Sequence, residues 1–250
     1  MSPPLRLVTI PFSHYCEKAR WALDRAGLAY TEAPHLPVAS ALFAWRAGGG
    51  RTVPVLVTPT KTLADSTDIL HFADTHTPEA RRLFPAHDAE VARWEAHFDK
   101  LLGPATRRWA YGFLLEERDF MHDMLRRSGP RWEGVVATAG FPALRALMKR
   151  GMRIDAAGVA RSAERLEAIF AEVESALSDG RSYLVGDRLT AADLTFAALA
   201  APAVFPDGYA RYVCAFDALP PRFRDAVRPF RERAAGRFVA RLYEARQERA

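Results

Sequence analysis

The sequence has few cysteines, no long apolar run and no signal-peptide pattern. Its 250 residues include only two cysteines, Cys16 and Cys214, which lie far apart and lack metal-ligand spacing. A disulfide framework or a zinc site is therefore not expected. No apolar run approaches the roughly 18 residues that a membrane-spanning helix needs, and no cleavable leader is recognisable. The sequence predicts a cytoplasmic protein without a membrane span.

Blocks of like charge are also absent. The net charge is +5 at pH 7, and arginine far outnumbers lysine, but the basic residues are dispersed among acidic ones. This distribution argues against a nucleic-acid partner and is at least as compatible with a small anionic partner. The seven histidines show no metal-ligand spacing, so no metal site is predicted.

The hydrophobic pattern divides the chain into two parts. The first alternates short strand candidates with helical segments in the order β-α-β-α-β-β-α. From about Asp88 onward every segment that can be assigned has the pattern of an amphipathic helix, although helices between residues 114 and 152 can be placed only loosely. We therefore predict an α/β domain over residues 1–77, a proline-containing linker over 78–87 and an all-α helical bundle over 88–250.

The stretch 'FSHYCEKARWALDRAGL' places Ser13 and Cys16 at the start of the first predicted helix. A helix N-terminus offers unpaired N–H groups and a positive dipole end, which stabilise a thiolate. A serine hydroxyl at this position can also donate a hydrogen bond to a sulfur and favour its ionised form. However, serine is a preferred N-cap, and Cys16 is equally consistent with a small buried hydrophobe. The stretch alone leaves an active site and an ordinary cap as alternatives.

Two further short motifs lie at the start of a predicted strand or helix and could contact a ligand. Pro54, after Val53, opens a predicted strand, where its missing N–H donor is tolerated. Asp65 and Ser66 precede the last helix of the first part, where free N–H groups and the hydroxyl can hold a carboxylate. The pair is also consistent with a plain helix cap, and both roles can hold at once.

The second part contains a capping box within 'YLVGDRLTAADLTFAALA'. Thr190 is the predicted N-cap and Asp193 its return partner, while Leu189 packs on Leu194 as a hydrophobic staple. The role of this motif is in folding, and it carries no chemistry.

Together, these four places resemble the glutathione S-transferase family, whose members join a thioredoxin-like N-terminal domain to an all-helical C-terminal domain. 'SHYCEKAR' looks like the family's catalytic position at the N-terminus of the first helix, with Ser13 in that position. It also looks like the glutaredoxin Cys-x-x-Cys motif with its first cysteine replaced by Ser13 and its second retained as Cys16. The resemblance covers nearly the whole chain.

The resemblance implies a glutathione site in the first domain, with Ser13 and Cys16 as catalytic candidates. Val53 and Pro54 resemble the family's cis-proline element, which faces the cysteinyl part of glutathione, and Asp65 with Ser66 resembles the pair that holds the γ-glutamyl group. Arg51 could meet a glutathione carboxylate, although a solvated loop arginine is about as compatible. The glutathione-binding candidates are thus Ser13, Arg51, Val53, Pro54, Asp65 and Ser66.

A pocket for the second substrate is expected beside Ser13. Its candidates are Phe12, His14, Trp109 and Tyr111, although aromatic residues at helical spacing are more often part of a core. Two departures from the family pattern are His14, where proline is common, and the triple glycine that precedes Arg51.

Three functions follow from the resemblance. The first is a glutathione transferase that uses glutathione as co-substrate, without a metal, and conjugates it to an electrophile that the sequence does not identify. The second is a glutathione-dependent thiol-disulfide oxidoreductase, which requires Cys16 to be exposed and ionised. The third is a non-catalytic binding or scaffold protein. The resemblance also implies a homodimer.

Overall fold

The computed structural model describes residues 5–85 and 88–247. The chain forms two compact units, one made of Met1–Phe84 and His122–Leu144, the other of Pro85–Met121 and Arg145–Ala250. The first unit thus includes a segment that the sequence placed in the helical domain. Within the predicted linker, Ala86 and His87 lie outside the described residues.

A mixed four-stranded sheet forms the centre of the first unit, and the predicted α/β class is confirmed. The strands lie in the order β2-β1-β3-β4, with β1 parallel to β2 and antiparallel to β3, and β3 antiparallel to β4. The strands are β1 (Leu5–Thr9), β2 (Tyr30–Pro34), β3 (Val55–Val57) and β4 (Thr62–Leu63). The helices are α1 (His14–Arg25), α2 (Ala39–Arg46) and α3 (Ser66–Thr75).

The strand register brings three loops to one end of the sheet. Val8, near the end of β1, pairs with Val55, the first residue of β3, and Leu63, the last residue of β4, pairs with Leu56. The chain therefore leaves β1, enters β3 and leaves β4 at the same end. The residues that follow β1, precede β3 and follow β4 are the ones in which the sequence predicted a site.

A later segment of the chain packs on the loop after β2. It contains most of α6 (Arg118–Ser128), all of α7 (Arg131–Ala139) and the start of α8 (Phe141–Met152). The buried carboxylate of Glu133 accepts a hydrogen bond from the Leu36 N–H at 2.7 Å and lies 2.7 Å from His35 Nδ1. A Cβ added to Gly129 would lie 2.9 Å from Leu36 Cγ, so this approach is close. These contacts explain why His122–Leu144 groups with the first unit.

The second unit is built from helices that bury the predicted apolar faces. Leu166, Ile169, Phe170 and Val173 of α9 are all buried, and Phe170 packs against the ring of Phe196 in α10. Besides the parts of α6 and α8 that fall in this unit, its helices are α4 (Ala89–His97), a π-helical turn (Phe98–Leu102), α5 (Gly103–Leu114), α9 (Ala156–Ala176), α10 (Ala191–Val204), α11 (Asp207–Ala210), α12 (Pro221–Glu232) and α13 (Ala234–Gln247).

A capping box begins α10, the most buried helix of the unit. The Asp193 carboxylate accepts hydrogen bonds from the Thr190 N–H at 2.8 Å, the Thr190 hydroxyl at 2.9 Å and the Leu184 N–H at 2.7 Å. Burial raises the pKa of Asp193 to about 6, although these hydrogen bonds act in the opposite direction. The motif thus satisfies buried backbone donors that would otherwise have no acceptor.

We expect Asp193→Ala to lower the free energy of unfolding by about 3 kcal/mol, because two buried N–H groups lose their acceptor. Urea unfolding at neutral pH measures the difference. Asp225→Ala, which removes an exposed carboxylate from α12, is the matched control and should change stability by less than about 0.5 kcal/mol. Equal effects of the two variants would contradict this account of the motif.

Candidate functional site

Ser13 lies where the chain turns from β1 into α1. Its N–H donates to the Ile10 carbonyl at 3.0 Å, and its extended backbone (φ −80°, ψ 123°) makes it the N-cap of α1. Its Oγ accepts a long hydrogen bond of 3.4 Å from the Cys16 N–H. This contact uses a lone pair of the hydroxyl and does not use its hydrogen. The hydroxyl also lies within hydrogen-bond reach of the Cys16 thiol, which when neutral can donate to the hydroxyl oxygen. Ser13 can therefore cap the helix and direct its hydrogen to an anion at the helix N-terminus.

Cys16, in the first turn of the same helix, is fully buried. Burial raises the pKa of its thiol above the usual value, while the charge of Arg20 and a hydrogen bond with Ser13 oppose that shift. A nucleophilic thiolate needs exposure and a lowered pKa. Cys16 has the opposite properties, and they match the small buried hydrophobe that the sequence left as an alternative.

Buried charges tie α1 to the sheet. Arg20, nearly fully buried, donates to Glu32 Oε1 of β2 from Nε at 2.9 Å and from Nη2 at 2.5 Å. Glu17 lies 3.5 Å from Arg20, and the Thr9 hydroxyl donates to the same Glu32 oxygen at 2.6 Å. Removing one member would leave a buried charge without its partner, which is strongly destabilising. The network therefore holds the helix that carries Ser13 at its N-terminus.

Asp65 and Ser66 begin α3 at the same end of the sheet. The exposed Asp65 is the N-cap and accepts a hydrogen bond from the Thr67 N–H at 2.7 Å, while Ser66 is buried in the first turn. Lys18 of α1 is fully buried and donates from Nζ to the Thr67 hydroxyl at 3.0 Å. A buried positive charge thus connects α1 to the first turn of α3. Sequence analysis missed Lys18, although a lysine on the apolar side of a short helix is a detectable signal.

The Val53–Pro54 peptide bond is cis, and Pro54 immediately precedes β3. Val53 is partly buried and packs on a small cluster of Val8, Ala44 and Val55, whereas Arg51 is exposed.

Two of the three glycines before Arg51 have a structural reason. Gly48 has a positive φ of 83°, which glycine adopts without strain. A Cβ on Gly49 would lie 2.7 Å from Val55 Cγ2, so any larger residue there would displace the start of β3.

The predicted second-substrate residues are divided between the two units. In the first unit Phe12 and His14 are buried, and the ring centroid of His14 lies 4.7 Å from that of Tyr15. In the second unit Trp109 is buried in an aromatic cluster with Phe113, Phe223 and Phe230, at centroid distances of 5.4 to 5.6 Å. This packing is typical of a core residue.

Tyr111, two residues further along α5, is partly exposed. Burial of its hydroxyl raises the pKa of Tyr111 to about 12. The phenol is therefore neutral at physiological pH and could act only as a neutral donor or acceptor.

A cavity of about 300 Å³ opens in the helical unit beside the C-terminal end of α5. Gly112, Val159 and Lys149 are among its lining residues, and Trp109 and Tyr111 are not. Glu116, also in the lining, forms ion pairs with Lys149 at 2.5 Å and with Arg145, and the hydrogen bond from Lys149 is the largest cause of its lowered pKa. Sequence analysis did not predict this cavity.

Over residues 5–85 and 88–247, no group of three or more His, Cys, Asp and Glu side chains is arranged to hold a metal ion. Over the same residues, no helix has both the length and the apolarity to cross a membrane.

Both units match models of protein families. Residues 7–81 match the model described as glutathione S-transferase, N-terminal domain, and residues 156–235 match that described as glutathione S-transferase, C-terminal domain. Neither range includes α6, α7 or α8. A search of curated protein sequences finds no match.

Solved structures share the fold at low sequence identity. The chain is similar to the glutathione transferase GSTFuA3 from Phanerochaete chrysosporium, with 18% identity, 98% of each chain covered and a TM-score of 0.63. It is equally similar, by the same measures, to the glutathione S-transferase CsGST63524 of Ceriporiopsis subvermispora in complex with glutathione. A glutathione S-transferase from Methylobacterium radiotolerans in complex with glutathione sulfonate has 21% identity, 95% of each chain covered and a TM-score of 0.55.

We expect iodoacetamide at pH 8 to leave Cys16 unmodified in the native protein, because the thiol is buried and its pKa is raised. Cys214, which is partly exposed, is the internal comparison and should react first. Mass spectrometry of peptides before and after denaturation distinguishes the two sites. Rapid native alkylation of Cys16 would contradict the buried, un-ionised thiol.

Proposed function

We propose that this chain, which belongs to the glutathione S-transferase family, is a glutathione transferase that conjugates the glutathione thiolate to an electrophilic, largely apolar substrate. The observation that carries the proposal is the position of Ser13. It caps α1 at the end of the sheet where Val53–Pro54 precedes β3 and Asp65–Ser66 begins α3. One end of the sheet in the first unit thus carries the Ser13 hydroxyl, the backbone that precedes β3 and the N-terminus of α3.

In this proposal the loops at that end of the sheet bind glutathione. The first turn of α3 and the Ser66 hydroxyl would hold the γ-glutamyl carboxylate, and Asp65 would pair with the ammonium of the same group. The buried Lys18, through Thr67, adds positive charge beneath that turn. The backbone of Val53 would pair with the cysteinyl part as a strand pairs with a peptide. Arg51 is exposed and could reach a carboxylate.

The proposed chemistry begins with ionisation of the bound thiol. The Ser13 hydroxyl would donate a hydrogen bond to the glutathione sulfur, and the positive end of α1 would stabilise the negative charge, so the thiol loses its proton to solvent near neutral pH. The thiolate then attacks the electrophilic carbon. A sulfur–carbon bond forms while the leaving group departs with its electron pair, or the electrons move onto an activating group.

Two alternative functions are thiol-disulfide exchange through Cys16 and non-catalytic binding of glutathione. Thiol-disulfide exchange through Cys16 needs an ionised, accessible thiol, whereas this thiol is buried and its pKa is raised. A non-catalytic binding protein would share the glutathione site and differ only in lacking turnover. A pocket for the electrophile formed by Phe12, His14, Trp109 and Tyr111, a homodimer and a cytoplasmic location remain proposals that rest on the resemblance to the family.

Glutathione binding by calorimetry tests the site directly. We expect Ser66→Ala to weaken binding by about tenfold, because a buried hydroxyl that contacts a carboxylate contributes about 1.5 kcal/mol. The control is Ser182→Ala, which changes an exposed serine of the helical unit and should bind glutathione like the wild type. If the wild type does not bind glutathione, the proposed function is wrong.

Turnover in two assays separates the three functions: a chloronitroaromatic probe reports conjugation, and a mixed disulfide of glutathione reports thiol exchange. We expect Ser13→Ala to reduce kcat/KM by roughly 10- to 100-fold and to raise the pKa of the bound glutathione thiol, because a hydrogen bond to the thiolate is lost. Ser13→Thr retains the hydroxyl and should retain much of the activity, and Cys16→Ala should have little effect. The pH dependence of kcat/KM measures the thiol pKa.

The opposite pattern would favour other functions. Turnover of the mixed disulfide that is lost in Cys16→Ala and kept in Ser13→Ala would favour thiol exchange. Glutathione binding without turnover in any variant would favour the scaffold protein.

A further inference from the structure

The helical unit gathers four arginines around Arg108. This arginine cluster consists of Arg107, Arg108, Arg153, Arg161 and Arg165. Over the described parts of the chain, residues 5–85 and 88–247, none of the five forms an ion pair with a carboxylate. Many other arginines of this unit do, among them Arg145, Arg181 and Arg233. The arginine cluster thus lacks the carboxylate partners that Arg145, Arg181 and Arg233 have.

Arg108 is fixed at the centre of the arginine cluster by two hydrogen bonds. Its Nε donates to the Met152 carbonyl at 2.8 Å, and its Nη1 donates to the hydroxyl of the buried Ser162 at 3.2 Å. A Cβ added to Gly158 would lie 3.2 Å from Arg108 Cδ, so the side chain passes closely over α9. A guanidinium has five N–H donors, and these contacts leave the donors on Nη2 for an acceptor outside the protein.

The other four arginines come from three places. Arg107 neighbours Arg108 in α5, and its Nε is buried without a hydrogen-bond partner. Arg153 stands just before α9 with a positive φ of 52°, a conformation that costs free energy in a residue with a side chain. Arg161 and Arg165 are exposed and lie one turn apart in α9.

This arrangement is unfavourable for the unliganded protein. Burial and the charges of the four neighbours all lower the pKa of Arg108. Like charges four residues apart on a helix, as in Arg161 and Arg165, also destabilise that helix. The nearby Asp155 carboxylate accepts a hydrogen bond from the Gly158 N–H at 2.6 Å, and Glu164 on α9 is exposed. Neither acid forms an ion pair with the cluster, so an external anion would relieve the repulsion.

We propose that the arginine cluster is a binding site for a small ligand with several phosphate groups, an oligophosphate. Guanidinium forks match phosphate oxygens in bidentate geometry, and several forks around one anchored arginine fit a ligand with several anionic oxygens. An extended nucleic acid fits less well, because sites for single strands combine a long basic groove with aromatic side chains for stacking. The five members lie on α5, on α9 and just before α9, and none of them is aromatic.

Calorimetric titration of the full chain with sodium tripolyphosphate at constant ionic strength tests the proposal. We expect saturable binding to the wild type and a loss of affinity of about tenfold or more in Arg161→Gln/Arg165→Gln, since two charge-assisted contacts disappear. Both side chains are exposed and without ion pairs, so the melting temperature of this variant should match the wild type.

The matched control is Arg46→Gln/Arg228→Gln. It removes the same two positive charges from exposed positions of α2 and α12, which lie outside the arginine cluster. It should bind tripolyphosphate like the wild type. An equal loss in both double variants, or the absence of saturable binding to the wild type, would overturn the proposal, since binding would then reflect net charge alone.

Two further titrations identify the source of the phosphate. Saturating glutathione should leave the tripolyphosphate affinity unchanged, whereas displacement by glutathione would assign the binding to the first unit and overturn the proposal. Vesicles containing an anionic phospholipid should not bind. If they bind through Arg161 and Arg165 while free tripolyphosphate does not, the ligand is a lipid surface and the assignment to a free oligophosphate is wrong.

Discussion

The candidate site depends on the antiparallel pairing of β3 with β1. Because Val8 pairs with Val55, the start of β3 lies beside the end of β1, and the hairpin to β4 then returns the chain to the same end. Val55 and Leu56 are consecutive, point to opposite faces of the sheet and are both fully buried, so a shift of one residue in this register would exchange the faces on which they pack. The burial of two apolar residues thus also determines where Pro54 and the start of α3 lie.

The helix α1 has a polar N-terminus at the candidate site and a face that is buried in the first unit. Its N-terminus must stay accessible and polar, while the rest packs against the sheet and α3. The chain meets both demands by placing charged residues in the buried face: Arg20 reaches Glu32 in β2, and Lys18 reaches Thr67 in α3. Burying these charged side chains costs free energy, which is offset only when each of them has well-placed hydrogen-bond partners. They fix the direction of α1. They therefore also fix the direction of its helix dipole, whose positive end lies at Ser13.

Much of the fold, but only part of the site, could be predicted from the sequence. Alternating apolar runs and turn residues were sufficient for the strands and for α1 to α3, because their patterns are local. The segment around α7 could not be placed, and its burial explains why. Trp132, Val135 and Val136 are exposed while Glu133 and Gly134 are buried, so its hydrophobic pattern indicates the wrong face. Glu133 is buried because it binds the backbone after β2, about a hundred residues earlier, and no local periodicity reports such a contact.

The clustering of charged residues likewise depends on contacts between residues that are far apart in the sequence. Along the sequence the arginines are dispersed, yet packing of α5 on α9 brings four of them together, with Arg153 just before α9. Two glycines allow that packing: a Cβ on Gly112 would lie 2.5 Å from Val159 Cγ2, and one on Gly158 would approach Arg108. The charge density of this surface is thus a consequence of how closely two helices approach. A larger residue at Gly112 would push α5 away from α9, and one at Gly158 would clash with the Arg153 carbonyl at 2.4 Å. An electrostatic property of the helical unit therefore depends on residues that carry no charge.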